Sequence, residues 1–100
     1  MSNFVKMVGI VYSPSYGAGW STWGSNEMAL DQELAIAIEA EEPYEVLQEI
    51  AEKNWPNEYL GGLADCVVEW VPEGTCFRIE EYDGYESLHF NSDDHWTVAR

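Results

Sequence analysis

The apolar patterning of this chain predicts an α+β domain: an antiparallel sheet of about four strands with two helices packed on one face, in the order β-α-α-β-β-β. Three observations carry that expectation. Residues 4–12 form an apolar run rich in Val and Ile. Apolar side chains then recur at helical spacing from Met28 onward, interrupted by Glu41-Glu42-Pro43. From Leu63 the period shortens to two, and Asp83-Gly84 supplies a hairpin turn. A length of 100 residues fits one domain, 1–100, able to bury a core of its own.

Each element follows from its residues. "FVKMVGIVY" is apolar on both alternating faces, the pattern of a strand covered on both sides, and Pro14 stops it. A loop rich in Gly and Trp follows. Ser25 or Asn26 then caps a helix with Glu27 in its first turn, where the dipole favours an anion, and Met28, Leu30, Leu34, Ala37 and Ile38 form its buried stripe. Pro43 suits the first position of a second helix, whose inner side is Val46, Leu47, Ile50, Ala51 and Trp55. That helix ends at Trp55-Pro56-Asn57, and Gly61-Gly62 reads as a hinge. "CVVEWV" and "CFRIEEY" read as strands joined by the turn "PEGT", with Cys76 opposite Val71 and Cys66 opposite Glu81. The Asp83-Gly84 turn pairs Tyr82 with Tyr85, Ile79 with Leu88 and Phe77 with Phe90, so the last four share a face that meets the helices. A final strand is expected around residues 96–99.

The charge sets the function classes. Nineteen acidic residues oppose four basic ones, a formal net charge of −15. Phosphate binding needs clustered Lys and Arg, so direct nucleic-acid binding and attachment to anionic membrane are excluded, and the expected macromolecular partner is basic. No apolar run approaches the ~20 residues that cross a bilayer, and the opening residues read as a strand rather than a leader. A cytoplasmic protein with reduced thiols at Cys66 and Cys76 is expected. Neither cysteine neighbours a histidine in sequence, and acids without a pocket make no general acid/base site, so an enzyme is not expected.

Two surfaces stand out. The first is the carboxylate-rich helical half: Asp31, Glu33, Glu39, Glu41, Glu42, Glu45, Glu49 and Glu52. On a helix, residues three or four apart stand ~5–6 Å from each other, a crude imitation of the phosphate row of a nucleic-acid strand. The alternative is an ordinary solvated face. The second is the loop "YSPSYGAGWSTWGS" with Tyr16, Gly17, Gly19, Trp20, Ser21, Thr22 and Trp23. It lies between a strand and a helix, as phosphate loops do, but its glycine spacing matches no dinucleotide fingerprint and it lacks a cation. Its rings either stack on a small ligand, contact a partner protein, or fold back as a core plug. Glu81 and Glu86 oppose each other across the hairpin, where like charges cost stability, so they either splay into water beyond the core's edge or hold a cation or a partner's Lys or Arg. His89, Asp93, Asp94 and His95 contain metal-ligand types in a spacing that fits no known motif; no metal or other cofactor is expected.

The segments "VYSPSYGAGWSTW" and "GTCFRIEEYDGYESL" resemble a group of small acidic bacteriophage and prophage proteins with a Gly-Trp loop after the first strand and an Asp-Gly hairpin near the end. The resemblance spans most of the chain and brings no catalytic residues. It implies a phage-type inhibitor in the host cytoplasm, acting on a basic defence or nucleic-acid-handling protein. A small-ligand (nucleotide) binder using the loop and an immunity- or antitoxin-type protein are the alternatives. A homodimer through an exposed strand edge is a further possibility.

Overall fold

The opening strand β1 (Met7–Tyr12) is buried over four consecutive residues, as a strand covered on both faces must be. The computed structural model describes residues 6–90 and 97–99. After β1 come two short 3₁₀ turns, Ser21–Trp23 and Asn26–Leu30. Two helices follow, α1 (Gln32–Glu39) and α2 (Tyr44–Asn54), then strands β2 (Val67–Pro72), β3 (Cys76–Tyr82), β4 (Tyr85–Phe90) and β5 (Thr97–Val98). The protein is α+β with the expected element order.

The strands divide into two antiparallel sheets, β1-β2 and β4-β3-β5, where one sheet was expected. The hairpin between β2 and β3 does not form. Instead β2 pairs with β1, setting Val68 against Val11 and Val71 against Val8, while β5 takes the edge of β3 at Cys76 and Phe77. Pairing with β1 lets β2 add Val68 and Trp70 to the cluster beneath the helices and Val71 to the cluster on the other face. By contrast, the β3–β4 register is as read from the sequence, from Phe77–Phe90 to Tyr82–Tyr85. Asp83 and Gly84 both take positive φ, as a type I′ turn requires.

Sheet β1-β2 is therefore a middle layer. Alternation along β1 sends Val11 toward the helices, where it joins Leu34, Ala35 and Ala51. It sends Val8 and Ile10 the other way, to Phe77, Ile79 and Leu88 of the hairpin sheet. The hairpin's apolar face meets β1 rather than the helices, and Phe90 at its end stays exposed. Gly9 explains how close α1 comes: a Cβ there would stand 2.7 Å from the Ala35 Cβ. Gln32 also closes the free edge of β1 at that point, its Nε2 donating to the Gly9 carbonyl and its Oε1 accepting the Gly9 N–H.

The first helix begins later than the Ser25/Asn26 cap predicts. Residues 26–30 form a 3₁₀ turn, and the α-helix is capped by Asp31, whose Oδ1 accepts the Leu34 N–H at 3.0 Å. Pro43 sits at the N-cap of α2, one residue before the position expected. Gly61-Gly62 is no open hinge, since Gly62 is buried against Gly19.

Candidate functional site

The Gly/Trp loop is organised by one carboxylate. Strand β4 carries Glu86 on the same face as Leu88, and its side chain is fully buried. Oε1 accepts the Ser13 N–H at 2.9 Å; Oε2 accepts the Trp20 N–H at 2.8 Å, the Thr22 N–H at 3.0 Å and the Thr22 hydroxyl at 2.5 Å. The Glu86 N–H in turn donates to the Ser13 carbonyl. Burying a carboxylate without partners is prohibitive, so four converging donors are what make this position tenable. The loop cannot leave without stranding that charge.

This geometry resolves the Glu81–Glu86 pair. The two do not both splay into water: on their shared face Glu86 is buried and Glu81 stays at the surface, each held by its own donors. Glu81 Oε2 accepts the Gly84 N–H at 2.7 Å and the Trp23 Nε1–H at 3.1 Å. Those two donors hold its carboxyl below the usual carboxylate range, the Gly84 bond contributing more. The loop tip is pinned as well, since the Gly17 N–H donates to the Asp83 carbonyl.

The loop's predicted residues consequently divide. Trp20 is fully buried in the main core and donates its Nε1–H to the Met28 carbonyl at 2.9 Å, so it is a core plug and not a stacking platform. Gly19 and Ser21 are buried with it. Thr22 is committed to Glu86. What remains outward is Tyr16 at the exposed Gly17 tip, its ring 5.0 Å from Tyr85, and Trp23, whose ring lies 5.8 Å from Tyr59. A small pocket of about 200 Å³ separates this loop from β3, with Ser21 and Asn26 on one wall and Phe77, Arg78 and Ile79 on the other.

The acidic set divides too. Asp31 is 8% exposed and is an internal group: besides capping α1, its Oδ2 accepts from Trp55 Nε1 at 2.8 Å and Asn54 Nδ2 at 3.0 Å. It is not available to a partner. Glu33 is held by Lys53 at 2.8 Å and by Asn54, and these two bonds lower its carboxyl from the ordinary value. Glu39 accepts the Trp70 indole N–H. Glu41, Glu42, Glu45, Glu49 and Glu52 are exposed, the last three along the outer side of α2. Among the described residues, Lys6 pairs with Glu73, Lys53 at the end of α2 with Glu33, and Arg78 with Glu80, so none of these three is paired with a carboxylate of this stripe. Further exposed carboxylates, such as Glu69 and Glu80, lie away from the helices, so the acidity is not confined to one half.

Of the histidine-aspartate group, His89 lies 3.6 Å from Glu80, and Asp93, Asp94 and His95 fall outside the described residues. Among the described residues no cluster of His, Cys, Asp and Glu is disposed to hold a metal, and no helix is long and apolar enough to cross a membrane. Cys66 and Cys76 are free thiols. Burial pushes the Cys66 thiol far up, helped by the negative charges of Glu86 and Asp65, which makes it a poor nucleophile.

Comparison with protein-family models, curated proteins and solved structures finds no match, so the functional reading rests on this chain's own residues.

Proposed function

We propose that this is a non-enzymatic binding protein that docks a basic macromolecule on the outer face of α2. The observation that carries the reading is the run of exposed carboxylates at Glu41, Glu42, Glu45, Glu49 and Glu52, with Lys6 and Arg78 paired elsewhere and Lys53, at the end of α2, bonded to Glu33. A helix rises ~1.5 Å per residue, so Glu45, Glu49 and Glu52 are spaced ~6 and ~4.5 Å along the axis, a sparser row than the ~3.4 Å axial step at which one phosphate strand presents charge. The partner that suits such a row is a protein that ordinarily holds nucleic acid. Glu33 and Glu39 border the face, tied by Lys53 and Trp70.

The biological form of this reading is an inhibitor of a basic host protein, the role implied by the resemblance to phage-type acidic proteins. Competition for the host protein's nucleic-acid groove would be the mechanism: carboxylates fixed on a helix enter a groove lined by Lys and Arg and exclude the phosphate backbone. The test is a pull-down from bacterial lysate at low ionic strength, repeated at ~0.5 M salt, where the screening length falls to a few ångströms. The expected result is a basic protein retained by the wild type, released by salt and lost with Glu45→Gln/Glu49→Gln/Glu52→Gln. Retention that ignores both salt and the triple substitution refutes the proposal.

A further inference from the structure

Resting on the reading of a basic partner, we infer that the exposed Trp23–Tyr59 pair is a second contact, a seat for an arginine side chain of that partner. Trp23 and Tyr59 are 43% and 55% exposed although both are large aromatics, and their rings are inclined by 32° at 5.8 Å. One side of each ring is packed, Trp23 over Gly19 and Tyr59 over Gly61, and about half of each stays open to solvent, whereas Trp and Tyr dominate the energetic centres of protein interfaces. The surroundings are anionic. Glu81 Oε2 takes both the Trp23 and the Gly84 hydrogen bonds, and its Oε1 has no donor among the described residues. Glu58, next to Tyr59 in sequence, is near as well, its Oε1 3.5 Å from where a Cβ on Gly24 would stand.

An exposed indole with a carboxylate fixed at its edge is complementary to a guanidinium. The planar cation stacks on the ring face within ~6 Å of the centroid while an N–H donates to the carboxylate oxygen. A lysine ammonium offers the charge without the plane. Pre-organisation adds to this, because the buried Glu86 latch fixes the turn at Ser21–Trp23 through Thr22 before any partner arrives.

The probes are fluorescein-labelled octa-arginine and octa-lysine, titrated by polarisation at low ionic strength. Wild type is expected to bind octa-arginine severalfold more tightly than octa-lysine. Trp23→Ala and Tyr59→Ala are each expected to weaken octa-arginine binding by roughly three- to tenfold and to erase the preference. Glu45→Gln/Glu49→Gln/Glu52→Gln is expected to weaken both peptides and keep the preference. Equal affinity for the two peptides, no binding of either, or an unchanged octa-arginine affinity in both alanine variants overturns the inference. Should Trp23→Ala unfold by circular dichroism, Tyr59→Ala decides alone. The outcomes separate the two surfaces: loss of the lysate partner with the α2 substitutions but not with Tyr59→Ala removes this seat and leaves the α2 reading intact.

Discussion

Two carboxylate regions of this molecule obey opposite physics. At the loop–hairpin junction, Glu86 is withdrawn from water and surrounded by the N–H groups of Ser13, Trp20 and Thr22 and the Thr22 hydroxyl. On α2, Glu45, Glu49 and Glu52 face solvent at spacings where like charges repel. The first group is indispensable to the fold because it completes the loop's backbone hydrogen bonding. The second group adds little to the fold and, on the proposed reading, serves a basic partner. A net charge of −15 is thus a composite number, mixing structural acids with acids kept free.

The contrast can be broken most severely at Glu86. Replacing it with Ala leaves four donors facing a void, and a loss of about 3–5 kcal/mol is expected in chemical denaturation. Glu86→Gln keeps the shape but replaces an acceptor with a donor, and should lose slightly less. Asp31 comes next. Asp31→Ala removes the α1 cap and the acceptor of Trp55 and Asn54, an expected loss of about 2 kcal/mol. On the α2 face the terms nearly cancel. Glu45→Gln/Glu49→Gln/Glu52→Gln relieves like-charge pairs but gives up the anion in the first turn of α2 and the Glu49–Lys53 spacing. Stability should therefore change by less than about 1 kcal/mol, and less still as salt is added.

The smallest effect is a pH dependence at Glu81. Its folded-state carboxyl titrates below the unfolded value because Gly84 and Trp23 donate to it. The resulting stabilisation is present above the unfolded carboxylate range near ~4.3 and is lost as pH falls through the lower folded value. Wild type and Glu81→Gln should therefore differ in stability at neutral pH and converge in acid. A difference that grows on acidification contradicts the assigned bonds.

How much of this was legible in the chain depends on whether the deciding contact is local. The Asp83-Gly84 turn and the hairpin register were readable because two residues impose them. The second helix was readable from its apolar stripe. The partner of β2 was not, since the choice between β1 and β3 turns on long-range burial and on where β5 lands. The α1 cap was read at Ser25 or Asn26 although Asp31, three residues before the buried Leu34, carries the same signal and also receives Trp55. Glu86 left a trace that strand parity reveals. It shares a face with Leu88, and a carboxylate pointing into an apolar layer needs internal donors. Which donors was unreadable, because Trp20 lies 66 residues away in sequence. The same distance hid the fate of the loop: Trp20 and Trp23 look alike in the sequence, and one is core while the other is surface.

Thermal unfolding of Glu86→Gln beside Glu45→Gln/Glu49→Gln/Glu52→Gln at low ionic strength tests this division of the acids most directly. Unequal shifts are expected: the single substitution lowers Tm by roughly 10 °C or more, and the triple substitution leaves it within a few degrees of the wild type, about 4–8 °C corresponding to 1 kcal/mol in a domain of this size. An unchanged Tm for Glu86→Gln, or a triple variant that loses as much as Glu86→Gln does, would contradict it.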